Sequence, residues 1–269
     1  MSAAPLQAWI NGIGLIAPGL PDWATAAAVL RGEAAYVSAP SVLPVPLLLP
    51  PAERRRASRV IRLSLGIGLE AVTHAGADAA TLATVFAASG ADGHNCHSLC
   101  EQLAGDDRQI SPTRFHNSVH NAAAGYWGIA THSMAPCQVL GAFDASFGAG
   151  LLDALAQVAM DGQPVLLLAY DSEYPEPLHA KRDTPDCGGV ALLLSAQRSE
   201  ASLASITVAP SRAPAEVLGD AAMEGLRQNI PALRALPLLQ RLARGTAGPV
   251  VLDYLAPMQL QVDLQDLRR

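Results

Sequence analysis

The chain has 269 residues, half of them hydrophobic and 16% charged, which suffices for a full buried core and is an ordinary, rather apolar α/β composition. A formal charge of −6, with Arg54 to Arg56 as the longest basic run, argues against a nucleic-acid partner, and no apolar run approaches the length of a membrane span. No signal-peptide pattern precedes the first apolar segment, and the four cysteines are too few and too irregularly spaced for a secreted disulfide framework, so a cytoplasmic protein with reduced thiols is expected. The low charged fraction points to a surface partly covered by a partner.

Trp9 to Ile16 reads as a short apolar strand that ends at the Pro18-Gly19 turn. Asp22 is a good N-cap for a helix from Trp23 to Leu30, and Arg31-Gly32 ends it. Gly12-x-Gly14 superficially matches a dinucleotide-binding turn. That reading is rejected, because Ala17 stands where the third glycine belongs, Pro18 follows it, and no acidic residue is suitably placed after a second strand. Residues 38–52 contain five prolines and few charges, as expected of an ordered but irregular surface loop.

One helix is expected from Glu53 to Ala75, with Val60, Leu63, Ile67 and Ala71 on its apolar face and Arg54, Arg55, Arg62 and Glu70 elsewhere. Gly66 and Gly68 within it predict close packing against another helix. Residues 81–90 follow as a buried strand and Cys96 to Ala104 as a helix. The run HNCHSLC brings His94, Cys96, His97 and Cys100 together, all of metal-ligand type. On a helix His97 shares a face with Cys100, as does Cys96, which makes only a partial site. The reading adopted is therefore two small buried cysteines on a helix and no metal.

Cys137 to Ala142 reads as a strand and Ser146 to Asp161 as a buried helix with an apolar stripe of Leu151, Leu152, Leu155 and Val158. Asp144 is placed to cap it. His116 and His120, four residues apart, have no Glu between them, so the metalloprotease pattern is absent. Ser118 and Ser146 fall short of the G-x-S-x-G elbow. A stand-alone acyltransferase or thioesterase with His116 or His120 as base is the alternative these residues leave open.

Residues 164–173 and 188–197 are continuous apolar runs of the kind buried on both faces of a sheet. Asp171 and Glu173 close the first and read as loop anchors rather than a catalytic pair. Asp183, Asp186 and Gly188-Gly189 read as a structural turn before the second run. Beyond Ser195 a polar stretch leads to helices near Ala213 to Arg227 and Pro231 to Leu242, then a strand pair around Val250 to Val262. Strands alternating with helices imply an α/β sheet between helical layers.

Ser111-Pro112, Asn121, Ala124-Gly125, Ala135-Pro136 and the strand running into a buried helix resemble, in order and spacing, the nucleophile region of β-ketoacyl synthases. In that family the strand ends in a Cys whose thiolate, favoured by the helix N-terminus, attacks an acyl thioester. Counting from Pro136 places that position at Asp144, or at Ala145 with one residue of slack, and neither is a thiol. The family's two catalytic histidines lie in its C-terminal half, whereas no His follows Ser195 here.

The resemblance covers roughly residues 7–195 and is strongest from Ser111 to Glu173. It implies a thiolase-like layered α/β fold with a complete first half and an abbreviated second half, as a single ketosynthase-like domain over 1–269, truncated on its C-terminal side. It implies no catalytic residue, with Asp144 and Ala145 as a degenerate nucleophile position, and no cofactor or metal. The chain looks like the short chain-length-factor subunits of bacterial aryl-polyene type II polyketide systems. Such a subunit pairs as a heterodimer with a full-length β-ketoacyl synthase and meets an acyl carrier protein through that pair. The segment before Asn121 would then place Phe115, His116 and Val119 along the acyl tunnel of the partner.

Overall fold

The two uninterrupted apolar runs become the centre of the fold. They form β4 (Val165–Asp171) and β5 (Gly188–Ser195), every residue of which is buried, and they pair antiparallel. Side chains alternate across β4: Val165, Leu167 and Ala169 enter one hydrophobic core, while Leu166, Leu168 and Tyr170 enter the other. A strand buried on both faces needs no polar alternation, which is why the runs are continuous.

The computed structural model describes residues 6–265; the ends of the expected 1–269 domain lie outside the described residues. β1 (Leu6–Ile16) leads to α1 (Trp23–Arg31), then to α2 (Pro51–Arg56) and α3 (Arg59–Ala75). β2 (Ala83–Ala87), α4 (Gly93–Ala104), α5 (Pro112–Asn117), α6 (Ala122–Thr131) and β3 (Cys137–Leu140) follow, then α7 (Ser146–Asp161). After β5 come β6 (Ala204–Ser211), α8 (Ala221–Asn229), α9 (Leu236–Arg244), β7 (Gly248–Leu252) and β8 (Gln259–Gln265).

The eight strands form one sheet in the order β3-β2-β4-β5-β1-β6-β8-β7. β3, β2 and β4 are parallel, and the remaining pairings are antiparallel. α3 and α6 cover one face, while α7, with the segments around α8 and α9, covers the other. The α/β layering expected from the sequence is thus present, and the abbreviated second half adds its three strands to the same sheet through β6 beside β1.

Asp22 accepts the Thr25 N–H at 2.7 Å and Gly32 closes α1 at φ 82°, as the sequence indicates. Glu70 acts unexpectedly as a second cap. One carboxylate oxygen accepts the Trp23 N–H at 2.7 Å and the other the Leu15 N–H at 2.8 Å, binding α3 to the end of β1 and the start of α1. Partial burial pushes its carboxyl above the ordinary range.

The expected helix 53–75 is two helices. Ala57 is extended at ψ 112° and Ser58 starts α3, while the Asn117 side chain takes the Arg56 carbonyl at 3.0 Å. Gly68 packs where a Cβ would meet Trp127 of α6 at 2.5 Å, as predicted, but Gly66 faces Ile16 and Pro44 rather than a helix. The expected helix 213–227 begins only at Ala221, where Asp220 accepts the N–H groups of Ala222 and Met223. The polar stretch after Ser195 contains β6.

Candidate functional site

In a parallel α/β sheet, ligands gather beyond the carboxyl ends of the strands, where the connections diverge. Here the ends of β3, β2 and β4 carry the turn at residues 141–146, Ala88-Ser89 and Asp171 to Glu173. The turn after β3 is sharp: Phe143 holds a left-handed φ of 52°, unusual for a bulky residue, inside a single 3-10 turn from Phe143 to Ala145. Ser146 fastens it, its Oγ donating to the Phe143 carbonyl at 2.7 Å and accepting the Ala142 N–H at 3.0 Å.

Asp144 does not cap α7. Asp144 lies within the 3-10 turn that precedes the helix, so Ala145 is the N-cap and makes no side-chain bond. The Asp144 carboxylate instead accepts from Arg182 at 2.7 Å and pairs with Arg234 at 3.2 Å, contacts in which both partners carry charge. The Arg182 guanidinium lies 4.0 Å over the Phe143 ring. The elbow thus presents Phe143, Asp144 and Ala145, none of which carries a thiol or a hydroxyl.

Asp171 is fully buried, and burial pushes its carboxyl up to about 6, against the N–H groups of Ser89 and Ala232 that favour the charge. Its role as loop anchor stands. Glu173 pairs elsewhere, with Arg59 at 2.9 Å and His94 at 3.4 Å.

Arg59 also pairs with Asp186 and donates to Cys187 Sγ at 3.2 Å. Ligand-type atoms of Glu173, Asp186 and Cys187 lie within 4.8 Å of one another, with this guanidinium supplying the positive charge among them. Burial pushes the Cys187 thiol up to about 11, so it is no nucleophile. The HNCHSLC side chains disperse: His94 goes to Glu173, His97 to Glu101 at 3.1 Å, and Cys96 to the Ser118 carbonyl at 3.7 Å. Cys96 is half-buried and Cys100 exposed, contrary to the buried pair expected, because α4 buries only Gly93 and Leu99.

Phe115, His116 and Val119 come together. With Pro112, Tyr126 and Ile129 they line a groove of about 590 Å³ between α5 and the first turns of α6. Phe115 is 64% exposed, Val119 is also exposed, and His116 stands edge-on to Tyr126 at 6.5 Å. His120 leaves the helix and points its Nε2 to the Ala88 carbonyl at 3.3 Å. Ser118 Oγ donates to the Phe115 carbonyl, so no Ser–His pair forms among the described residues.

Residues 23–247 match the family model of the beta-ketoacyl synthase N-terminal domain. The chain belongs to the β-ketoacyl synthase family. No curated protein matches it. Among solved structures, this family member resembles a chain of a ketosynthase, ApeO, in complex with its chain length factor, ApeC, from Xenorhabdus doucetiae. Identity is 23% and the TM-score 0.72, over 96% of this chain and 99% of that one.

It also resembles a chain of the ishigamide ketosynthase/chain length factor, at 17% identity and TM-score 0.69, over 97% and 100% of the two chains. A third is a chain of AntDE:AntF, a type II polyketide acyl carrier protein in complex with its ketosynthase bound to the hexaketide. Here identity is 9% and the TM-score 0.71, over 98% and 100%. At these identities the likeness is one of fold, and it makes the fold of this ketosynthase-family chain thiolase-like.

Proposed function

We propose that this chain is a non-catalytic chain-length factor. It pairs with an active β-ketoacyl synthase in the cytoplasm and shapes that enzyme's acyl tunnel in polyketide or fatty-acid-like, aryl-polyene, biosynthesis. The whole chain serves as one ketosynthase-like domain in that pair, and it meets an acyl carrier protein there.

The observation that carries the reading is the pairing of an elbow without a thiol, at Phe143 to Ala145, with an open apolar groove at Phe115, His116 and Val119. A condensing enzyme needs that thiol as its nucleophile. A half-exposed aromatic over an apolar groove gains by being covered, at about 25 cal/mol per Å² removed from water. β3 supports the same reading, since it is an edge strand whose Cys137 and Gln138 are exposed, leaving hydrogen-bonding groups for another chain. The complexes named above, of a ketosynthase with its chain length factor and of a carrier protein with its ketosynthase, supply the kind of partner. No helix among the described residues is long and apolar enough to cross a membrane.

Co-expression with a candidate partner ketosynthase, followed by size analysis and a condensation assay with and without this chain, tests the proposal. A stable pair that condenses, with this chain silent alone, is expected. Acylation and condensation, or thioester hydrolysis dependent on His116 or His120, by this chain alone would contradict it.

A further inference from the structure

The elbow arranges its charges as a ligand site does. Arg182 and Arg234, from separate segments, both reach the Asp144 carboxylate, one on each oxygen. Their side chains are only 19% and 17% exposed, while Asp144 is 37% exposed. The cations therefore form the wall and the carboxylate sits on the solvent side, as an occupant would.

Arg182 is oriented by the Phe143 ring beneath it, and Phe143 itself is held in the left-handed region. That conformation is unfavourable for a residue with a Cβ, so its surroundings hold the turn in place. Arg234 Nε is buried without a hydrogen-bond partner, so one carboxylate does not saturate the pair. The start of α7, with no side chain capping it, adds positive potential from the same side.

We propose that Arg182 and Arg234 form a binding site for a small carboxylate, and that Asp144 fills this site in cis and keeps the elbow closed to carboxylate-bearing ligands. Planar guanidinium groups recognise a planar carboxylate with directional, charge-assisted bonds. A tethered occupant acts at an effective concentration in the roughly millimolar range or above, so free carboxylates compete poorly with it. Removing the tethered group leaves two largely buried cations adjacent, with the Asp171 carboxylate as the remaining negative charge near Arg182. A free carboxylate of the same geometry then takes the vacated place. The inference goes beyond the partner proposal and is read on the isolated chain, so either can fail without the other.

The test is thermal unfolding of the full chain carrying Asp144→Ala or Asp144→Asn, titrated with acetate or malonate at ionic strength fixed with chloride. Both variants are expected to melt below the parent, and carboxylate to raise their Tm saturably by roughly a few degrees while leaving the parent unmoved. Adding Arg182→Gln to Asp144→Ala abolishes that rescue. Equal shifts in parent and variants, an equal effect of chloride, no shift at all, or rescue that survives Arg182→Gln would each overturn the proposal. Should the variants be recovered only unfolded, refolding with and without malonate reads the same question: recovery that requires malonate supports the site, and failure in both conditions overturns it.

Discussion

Asp171 and Ala232, 61 residues apart in the chain, are joined by a 2.8 Å hydrogen bond from the Ala232 N–H to the buried carboxylate. The other carboxylate oxygen takes the Ser89 N–H at 2.8 Å, so one side chain ties the ends of β2 and β4 to the turn before α9. Burial holds this carboxyl at about 6, above its ordinary 3.8, so the folded chain binds the proton more tightly than the unfolded one. Its stabilising contribution is complete below the unfolded value and is lost as pH rises through about 6.

Glu224 has the opposite sign. Its hydrogen bond from Arg227 holds the carboxyl at about 2 instead of 4.5, so its contribution is present above 4.5 and lost as pH falls towards 2. Denaturant unfolding of the parent should weaken between about pH 4 and pH 7, by an amount on the order of 2–3 kcal/mol from Asp171 alone. Asp171→Asn should flatten that fall, yet be less stable by about 1–3 kcal/mol at the acid end, because an amide cannot accept both N–H groups. A parent profile no steeper than the variant's in this window would refute the assignment.

Gly12 and Gly14, which mimic half of a nucleotide-binding motif, are explained by packing. A Cβ on Gly14 would lie 2.0 Å from the Ile67 carbonyl oxygen, and one on Gly12 2.1 Å from that of Ala71. Only backbone without a side chain lets β1 lie so close to α3. Gly14→Ala is predicted to cost about 3 kcal/mol or more, or to prevent folding, because backbone cannot yield as a flexible side chain does. Urea midpoints within about 0.5 kcal/mol of the parent would show the contact to be wrong.

Arg227 is buried between Glu224 and Asp253, joining α8 to the loop after β7. Arg227→Ala leaves two uncompensated carboxylates and is expected to lose about 3–5 kcal/mol in chemical denaturation. Arg227→Met combined with Glu224→Gln should recover part of that loss, since it removes one of the two stranded charges and restores an apolar stem. Equal stability of Arg227→Met alone and of Arg227→Met with Glu224→Gln would mean that the charge left on Glu224 is not what matters.

Local signals carried much of the fold. The uniform apolar runs of β4 and β5, the Asp22 cap, the Gly32 stop and the bounds of α7 are each decided by residues within a turn of one another. The break at Ala57-Ser58 has no glycine or proline to announce it, because the partner that takes the freed Arg56 carbonyl is Asn117, 61 residues on. β6 was hidden because Ser205, Thr207, Pro210 and Ser211 read as loop chemistry, although the strand gains its partners from β1 and β8.

At the site, Phe115, His116 and Val119 line one groove because they are neighbours in sequence. The elbow was not legible in that way. A carboxylate before a helix reads as a cap, and nothing near Asp144 reveals that Arg182 and Arg234 arrive from elsewhere to claim it. Arg59, in the same way, draws Glu173, Asp186 and Cys187 into one cluster that no spacing rule predicts.

In the function proposed above, this chain shapes the products of a partner without making bonds itself. The most direct test is the product-length distribution of a reconstituted pair, comparing the parent chain with Phe115→Ala. Shortening the exposed side chain at the groove should lengthen the products while the pair stays assembled. An unchanged distribution from an intact pair would contradict the account.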